Sequence, residues 1–168
     1  MRTKRPEWLT EIAGRMSAVK FTLVGGVDRD QSYSDRVTRS AGRLENLDNR
    51  GKVNYDQVFD FISSSSILLN TSVYEGFPNT FLEAWSCGVP VISTVDPDGL
   101  LNRYKVGIQI GSIDDAVTAI QALKDDKGLL ESMSKNCVAY YAQNHTPNVV
   151  ARKFGDFFDR IVDKRNQA

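Results

Sequence analysis

The chain has 168 residues, 41% of them hydrophobic and 25% charged, and a formal net charge of zero. That length suits one globular domain able to bury most of its apolar surface, and the balanced charge excludes the basic footprint of a nucleic-acid or anionic-membrane binder. No apolar run approaches the roughly 20 residues that span a bilayer, residues 1–6 lack the apolar centre of a signal peptide, and Cys87 and Cys137 read as small buried thiols, so a cytoplasmic protein without disulfides is expected.

Pro6 opens the first predicted helix, where its missing N–H costs nothing, and Trp8, Leu9, Ile12 and Met16 fall on one face. Residues 19–24 read as a strand closed by Gly25 and Gly26, and the polar residues 28–46 as a loop with a weak helix. Residues 51–53 read as the end of a short strand. Asn54 then caps a helix through Ser64, with Gln57 at the reciprocal position of a capping box and Val58, Phe59 and Ile62 inward. Ile67, Leu68 and Leu69 suit a buried strand. Residues 71–78 read as a loop punctuated by Gly76 and Pro78. Thr80 followed by Glu83 matches a second capping box, so a helix is expected to start near Thr80 and to stop at Gly88 in a left-handed cap. Pro90, Val91 and Ile92 open the next strand, residues 96–99 form a turn cluster, and residues 107–110 form another short strand. Helices follow at about 112–124, 128–142 and 146–163, the last with an apolar stripe of Val150, Phe154, Phe157, Phe158, Ile161 and Val162. Alternating strands and helices predict an α/β fold with a doubly wound parallel sheet.

The stretch that carries chemistry is Glu75-Gly76-Phe77-Pro78-Asn79-Thr80-Phe81-Leu82-Glu83, running on to Gly88-Val89-Pro90-Val91. Its loop ends at a helix N-terminus, whose partial charge of roughly half a unit favours anions. In a parallel sheet such loops lie at the carboxyl edge, where ligands bind, so a diphosphate would suit the place. Taken singly, Glu83 reads equally as the partner of Thr80 in a cap, and Glu75 as an exposed carboxylate. Taken together they are harder to dismiss, because chance gives only about 0.2 glutamate pairs at this spacing in such a chain.

Other candidates are weaker. Asp28 with Asp30, and Asp96 with Asp98, match a metal-binding Asp-x-Asp pattern, but about 1.3 such matches arise by chance, and turn aspartates explain both. His145 is the sole histidine, which excludes multi-histidine metal sites within the chain, and it reads as structural. Neither a Gly-x-Gly-x-x-Gly nor a P-loop pattern occurs.

The motif, with Gly76-Phe77 after the first glutamate and Gly88-Val89-Pro90-Val91 after the second, resembles the donor-binding motif of retaining glycosyltransferases of the GT-B fold, the group 1 or family 4 class. The resemblance runs from Lys4 to about Val162. It implies one nucleotide-sugar-binding domain over 1–168, the Rossmann-like C-terminal half of a GT-B enzyme. In a complete enzyme the reaction would be retaining transfer of a sugar from a nucleoside diphosphate sugar to an acceptor, with surface-polysaccharide synthesis the expected setting. The resemblance further implies that Glu75 is the catalytic carboxylate, holding sugar hydroxyls and offsetting oxocarbenium-like charge, and that Glu83 accepts from the ribose hydroxyls. Gly76, Phe77 and Pro78 would shape the loop. Lys4 and the N–H groups near Asn79 and Thr80 would stabilise the leaving diphosphate. Gly25 would give the nucleotide backbone space, and Val53 would lie near the backbone that meets the base. Neither a protein-held metal nor a cofactor is implied beyond the donor substrate. The expected partners are the nucleotide sugar and an acceptor-binding domain or chain, with no nucleic acid. The first strand of the domain, and an arginine ahead of Met1, are expected to lie outside these residues, leaving residues 19–24 and 67–70 without their shared neighbour. A non-catalytic nucleotide-sugar-binding module, one subunit of a split enzyme, and a nucleotide-sugar epimerase of the same fold are the alternatives.

Overall fold

The computed structural model describes residues 3–26 and 30–166, with side chains as far as residue 162. Asp28 therefore lies outside the described residues. The elements run α1 (Pro6–Arg15), β1 (Phe21–Val24), α2 (Gln31–Ala41), β2 (Leu47–Gly51), α3 (Tyr55–Ser63), β3 (Leu68–Asn70), α4 (Asn79–Ser86), β4 (Val91–Ser93), a 3-10 turn (Pro97–Gly99), α5 (Leu100–Tyr104), β5 (Gly107–Gln109), α6 (Ile113–Asp125), α7 (Lys127–Asn144) and α8 (Pro147–Asn166). All strand pairs are parallel, in a two-stranded sheet β1-β2 and a three-stranded sheet β3-β4-β5.

Local chemistry explains most of the starts and stops. Pro6 stands in the first turn of α1. Asp30 caps α2 by accepting from the Tyr33 N–H at 3.1 Å. The polar segment before β2 makes a regular helix because Tyr33, Val37 and Ala41, each four residues from the next, are buried together. Gln57 Oε1 accepts from the Asn54 N–H at 3.1 Å, the reciprocal bond of the expected capping box. Gly88 ends the turn after α4 at φ +72°, the left-handed conformation that glycine takes at least cost.

The three-stranded sheet is covered on both faces, as a parallel sheet requires. Consecutive strand residues point to opposite sides. Val91 joins Phe81, Ala84, Trp85, Leu101, Val106 and Cys137 in one core, whereas Ile92 joins Ile12, Ile110, Ile120, Leu123 and Met133 in another. Trp85 is fully buried, and its indole N–H donates to the Val106 carbonyl at 3.0 Å, so no donor is left unpaired. β5 lies so close to β4 that a Cβ on Gly107 would stand 2.2 Å from the Val91 carbonyl oxygen.

Among the described residues, β1 pairs only with β2, and β3 only with β4. A cavity of about 650 Å³ lies between the two sheets, lined by Leu23 and Val24 on one side and by Leu68, Leu69 and Asn70 on the other. The N-terminal turn is tied beside this gap. The Val73 N–H donates to the Thr3 carbonyl at 2.7 Å, and the Thr71 hydroxyl to the carbonyls of Lys4 and Arg5 at 2.8 and 3.0 Å.

Several expectations need correction, the inward placing of Phe59 among them, since that residue is 45% exposed. α4 starts at Asn79 with Pro78 in the cap position, so Thr80 is its second residue and forms no capping box with Glu83. The ring of Pro78 fixes φ at −68° and, with ψ at 122°, sets the cap two residues before Thr80. β2 ends at Gly51 rather than Val53. The turn cluster at 96–99 runs straight into a five-residue helix, α5, which Gly99 opens from a left-handed conformation. The apolar stripe of α8 follows the helical period, yet Phe154, Phe157, Phe158, Ile161 and Val162 are each about half exposed.

Candidate functional site

The centre of the site is Glu75, in the loop after β3. Its side chain is only 12% exposed, and the Lys4 ammonium donates to its Oε1. The Ser72 hydroxyl donates to the same oxygen. Burial alone would raise the Glu75 pKa. The hydrogen bonds from Lys4 and Ser72, the Lys4 charge and a contact with Asn70 outweigh it and hold the carboxyl below its ordinary value. Glu75 is therefore ionised at neutral pH.

Lys4 reaches Glu75 because Arg5 fixes the chain beneath it. Arg5 adopts a left-handed backbone at φ 45°, uncommon for a residue with a side chain. Its Nε donates to the Thr71 carbonyl at 2.7 Å, and its guanidinium lies 3.8 Å from the centre of the Trp8 ring. Sequence reasoning missed this clamp. Its partners are 66 positions apart, and no local pattern signals them.

Of the ten site residues expected from the sequence, Lys4, Gly25, Glu75 and Thr80 line the cavity between the sheets. Its volume suits a nucleotide-sized ligand. Val53, Gly76, Phe77, Pro78, Asn79 and Glu83 do not line it. Asn79 opens α4 and Thr80 follows, so their N–H groups belong to the helix's first turn. Glu83 lies three residues beyond Thr80, on the same side of α4. Its Oε1 accepts from the Tyr55 hydroxyl at 2.7 Å, and its Oε2 is buried without a partner. Pro78 is buried in the cap position, whereas Gly76 is exposed and has room for a Cβ. The Phe77 ring meets Trp85 edge-on at 6.2 Å and His145 at 5.9 Å, extending an aromatic cluster rather than the cavity wall. Val53 bridges β2 and the cap of α3.

His145 caps the C-terminus of α7, with its Nε2 3.2 Å from the Tyr140 hydroxyl. Burial, and then the charge of Lys153, lower its pKa. Asp96 accepts from the Leu101 N–H at 2.9 Å, a turn role like that of Asp30. Cys137 and Cys87 are unpaired, and burial pushes the Cys137 thiol up to about 12. Among the described residues, no group of three or more His, Cys, Asp and Glu could hold a metal ion, and no helix is long and apolar enough to cross a membrane.

Known proteins resemble this chain in sequence and in fold. The family model described as "Glycosyl transferases group 1" matches residues 1–126. The N,N'-diacetylbacillosaminyl-diphospho-undecaprenol alpha-1,3-N-acetylgalactosaminyltransferase of Campylobacter jejuni is 26% identical over 147 residues, which are 84% of this chain and 37% of that protein. Anabaena HepE, solved in complex with UDP-glucose, matches at a TM-score of 0.75 and 15% identity, over 94% of this chain and 45% of that one. The C-terminal domain of a group 1 family glycosyl transferase, LpcC, from Francisella tularensis matches at 0.70 and 14% identity, over 88% of this chain and 83% of that domain. The chain thus spans less than half the length of the curated relatives it matches. The structural likenesses show a GT-B half with a Rossmann-like α/β fold.

Proposed function

Because the chain belongs to the group 1 glycosyltransferases, we propose that residues 1–168 form a donor-binding domain whose cavity takes a nucleoside diphosphate sugar. The observation that carries this reading is the Lys4–Glu75 pair, a cation and an ionised carboxylate on one cavity beside the first turn of α4.

The chemistry follows from these groups. A departing nucleoside diphosphate gains negative charge. Lys4, the first-turn N–H groups of Asn79 and Thr80, and the α4 dipole supply positive potential where that charge develops. Lys4 shifts from Glu75 to the diphosphate as the donor arrives, which releases Glu75 for the sugar hydroxyls. Glu75 stays ionised and offsets oxocarbenium-like charge at the anomeric carbon during retaining transfer. Glu83 accepts from the ribose hydroxyls. Gly25 leaves backbone space at the cavity wall, Val53 borders the base, and Gly76, Phe77 and Pro78 set the path of the loop.

The names of the relatives extend the proposal. HepE was solved with UDP-glucose, which favours a UDP-sugar donor. The Campylobacter protein is named for a diphospho-undecaprenol-linked sugar acceptor, which favours a lipid-linked saccharide in surface-polysaccharide synthesis. The acceptor is held by a domain or chain beyond these residues, since transfer needs both substrates held together. A cytoplasmic location belongs to the same proposal and is supported by the two unpaired cysteines.

The test is calorimetric titration of the protein and its Glu83→Gln variant with UDP. A hydrogen bond to a charged acceptor contributes roughly 1.5–3 kcal/mol, so the variant should bind about tenfold more weakly or worse, with little change in melting temperature. An unchanged dissociation constant would contradict the ribose role of Glu83.

A further inference from the structure

Glu83 is not idle without a ligand. Its carboxylate can accept at both oxygens. Oε1 takes the Tyr55 hydroxyl at 2.7 Å, while Oε2 is buried and has no partner. An orphaned buried acceptor is unfavourable, so this carboxylate is half satisfied. Tyr55 opens α3 and is 75% exposed. Its phenol can therefore swing away on the fast timescale of exposed side chains. The contact joins helices α3 and α4 across 28 positions and lies one turn along α4 from Thr80, which lines the cavity.

We propose that Tyr55 is a displaceable cover on Glu83: its hydroxyl occupies the carboxylate oxygen that the ribose diol of a nucleoside diphosphate takes over on binding. This rests on the reading of Glu83 as the ribose acceptor and names a residue which that reading does not include. The reason for exchange is stoichiometric. Tyr55 offers one donor, whereas vicinal ribose hydroxyls offer two, one for each carboxylate oxygen once the group turns. Nucleotide binding breaks the Tyr55–Glu83 bond, satisfies Oε2 and releases the phenol. Tyr55 is thus a positioning residue that sets the threshold for ribose recognition. A ligand without the diol gains nothing from displacing it.

The experiment titrates wild type, Tyr55→Phe and Glu83→Gln with UDP and with 2′,3′-dideoxy-UDP, and records melting temperatures. Tyr55→Phe removes only the hydroxyl. Its UDP affinity should rise roughly two- to tenfold, the span of a net hydrogen bond of about 0.5–1.5 kcal/mol. Its affinity for the dideoxy nucleotide should match wild type. Weaker UDP binding by Tyr55→Phe would make the phenol a support for Glu83 and overturn the proposal. So would an equal shift for both nucleotides, or no shift for UDP, provided Glu83→Gln loses UDP affinity. If Glu83→Gln binds UDP as wild type does, or if wild type binds no UDP, the ribose reading itself fails and the cover falls with it.

Discussion

Lys4 and Glu75 stand 71 positions apart in sequence, yet the ammonium of one donates to the carboxylate of the other at the mouth of the inter-sheet cavity. The two ends of this pair differ in environment, with Lys4 72% exposed and Glu75 12% exposed. Solvent around the ammonium screens the pair, which limits what it contributes to stability. In the proposed donor site the same cation is the one that meets an incoming diphosphate.

Replacing Lys4 by Met should therefore separate stability from binding. The melting temperature of Lys4→Met should fall by no more than a few degrees. Its dissociation constant for UDP should rise about tenfold, in line with the loss of a hydrogen bond to a charged group. Titration calorimetry with differential scanning calorimetry checks both, and an unaltered UDP affinity would take Lys4 out of the diphosphate site.

His145 should make stability depend on pH. Burial among Phe77 and Tyr140, together with the Lys153 charge, lowers its folded pKa below 6.5. As pH falls, the unfolded chain takes up the proton first, so this contribution is present above about pH 6.5 and is lost as pH drops through the folded pKa. The urea midpoint of wild type should fall between about pH 7.5 and pH 5.5, and that of His145→Gln should fall less. Parallel slopes in the two proteins would show that the ring does not titrate in this window.

The sequence made the α/β alternation and the motif loop legible because both depend on local pattern. Pro6, the Asn54–Gln57 box and Gly88 are signals within one turn of the element they end, and all three stand where expected. Glu83 shows where local reasoning stopped. It has the right spacing for a cap on Thr80, but its hydroxyl partner is Tyr55, 28 positions back, brought there by the packing of α3 on α4. The clamp of Arg5 on Thr71 was hidden for the same reason. The stripe on α8 teaches the converse lesson: period reveals an apolar face but not what covers it. In α2, three buried apolar residues among polar neighbours were enough, because a helix needs one sustained apolar line rather than a high apolar content.

Gly107 tests the packing of the sheet. A Cβ there would meet the Val91 carbonyl oxygen at 2.2 Å and the Leu101 side chain at 2.9 Å. The first of these is backbone of the adjoining strand and cannot move without opening the β4–β5 pairing. Gly107→Ala should lose about 1–3 kcal/mol, as overpacked cores do, lowering the melting temperature by several degrees. The folded variant should keep wild-type affinity for UDP, since Gly107 does not line the cavity. A variant as stable as wild type would mean that β5 sits further from β4.

The most direct test of the donor site is a crystal structure of the protein grown with UDP. The diphosphate should lie in the cavity between the β1-β2 and β3-β4-β5 sheets, with oxygens at about 2.7–3.2 Å from Lys4 Nζ and from the N–H groups of Asn79 or Thr80, and with the ribose hydroxyls on Glu83. UDP bound outside that cavity, or bound within it with Lys4 still on Glu75 and the ribose away from Glu83, would contradict it.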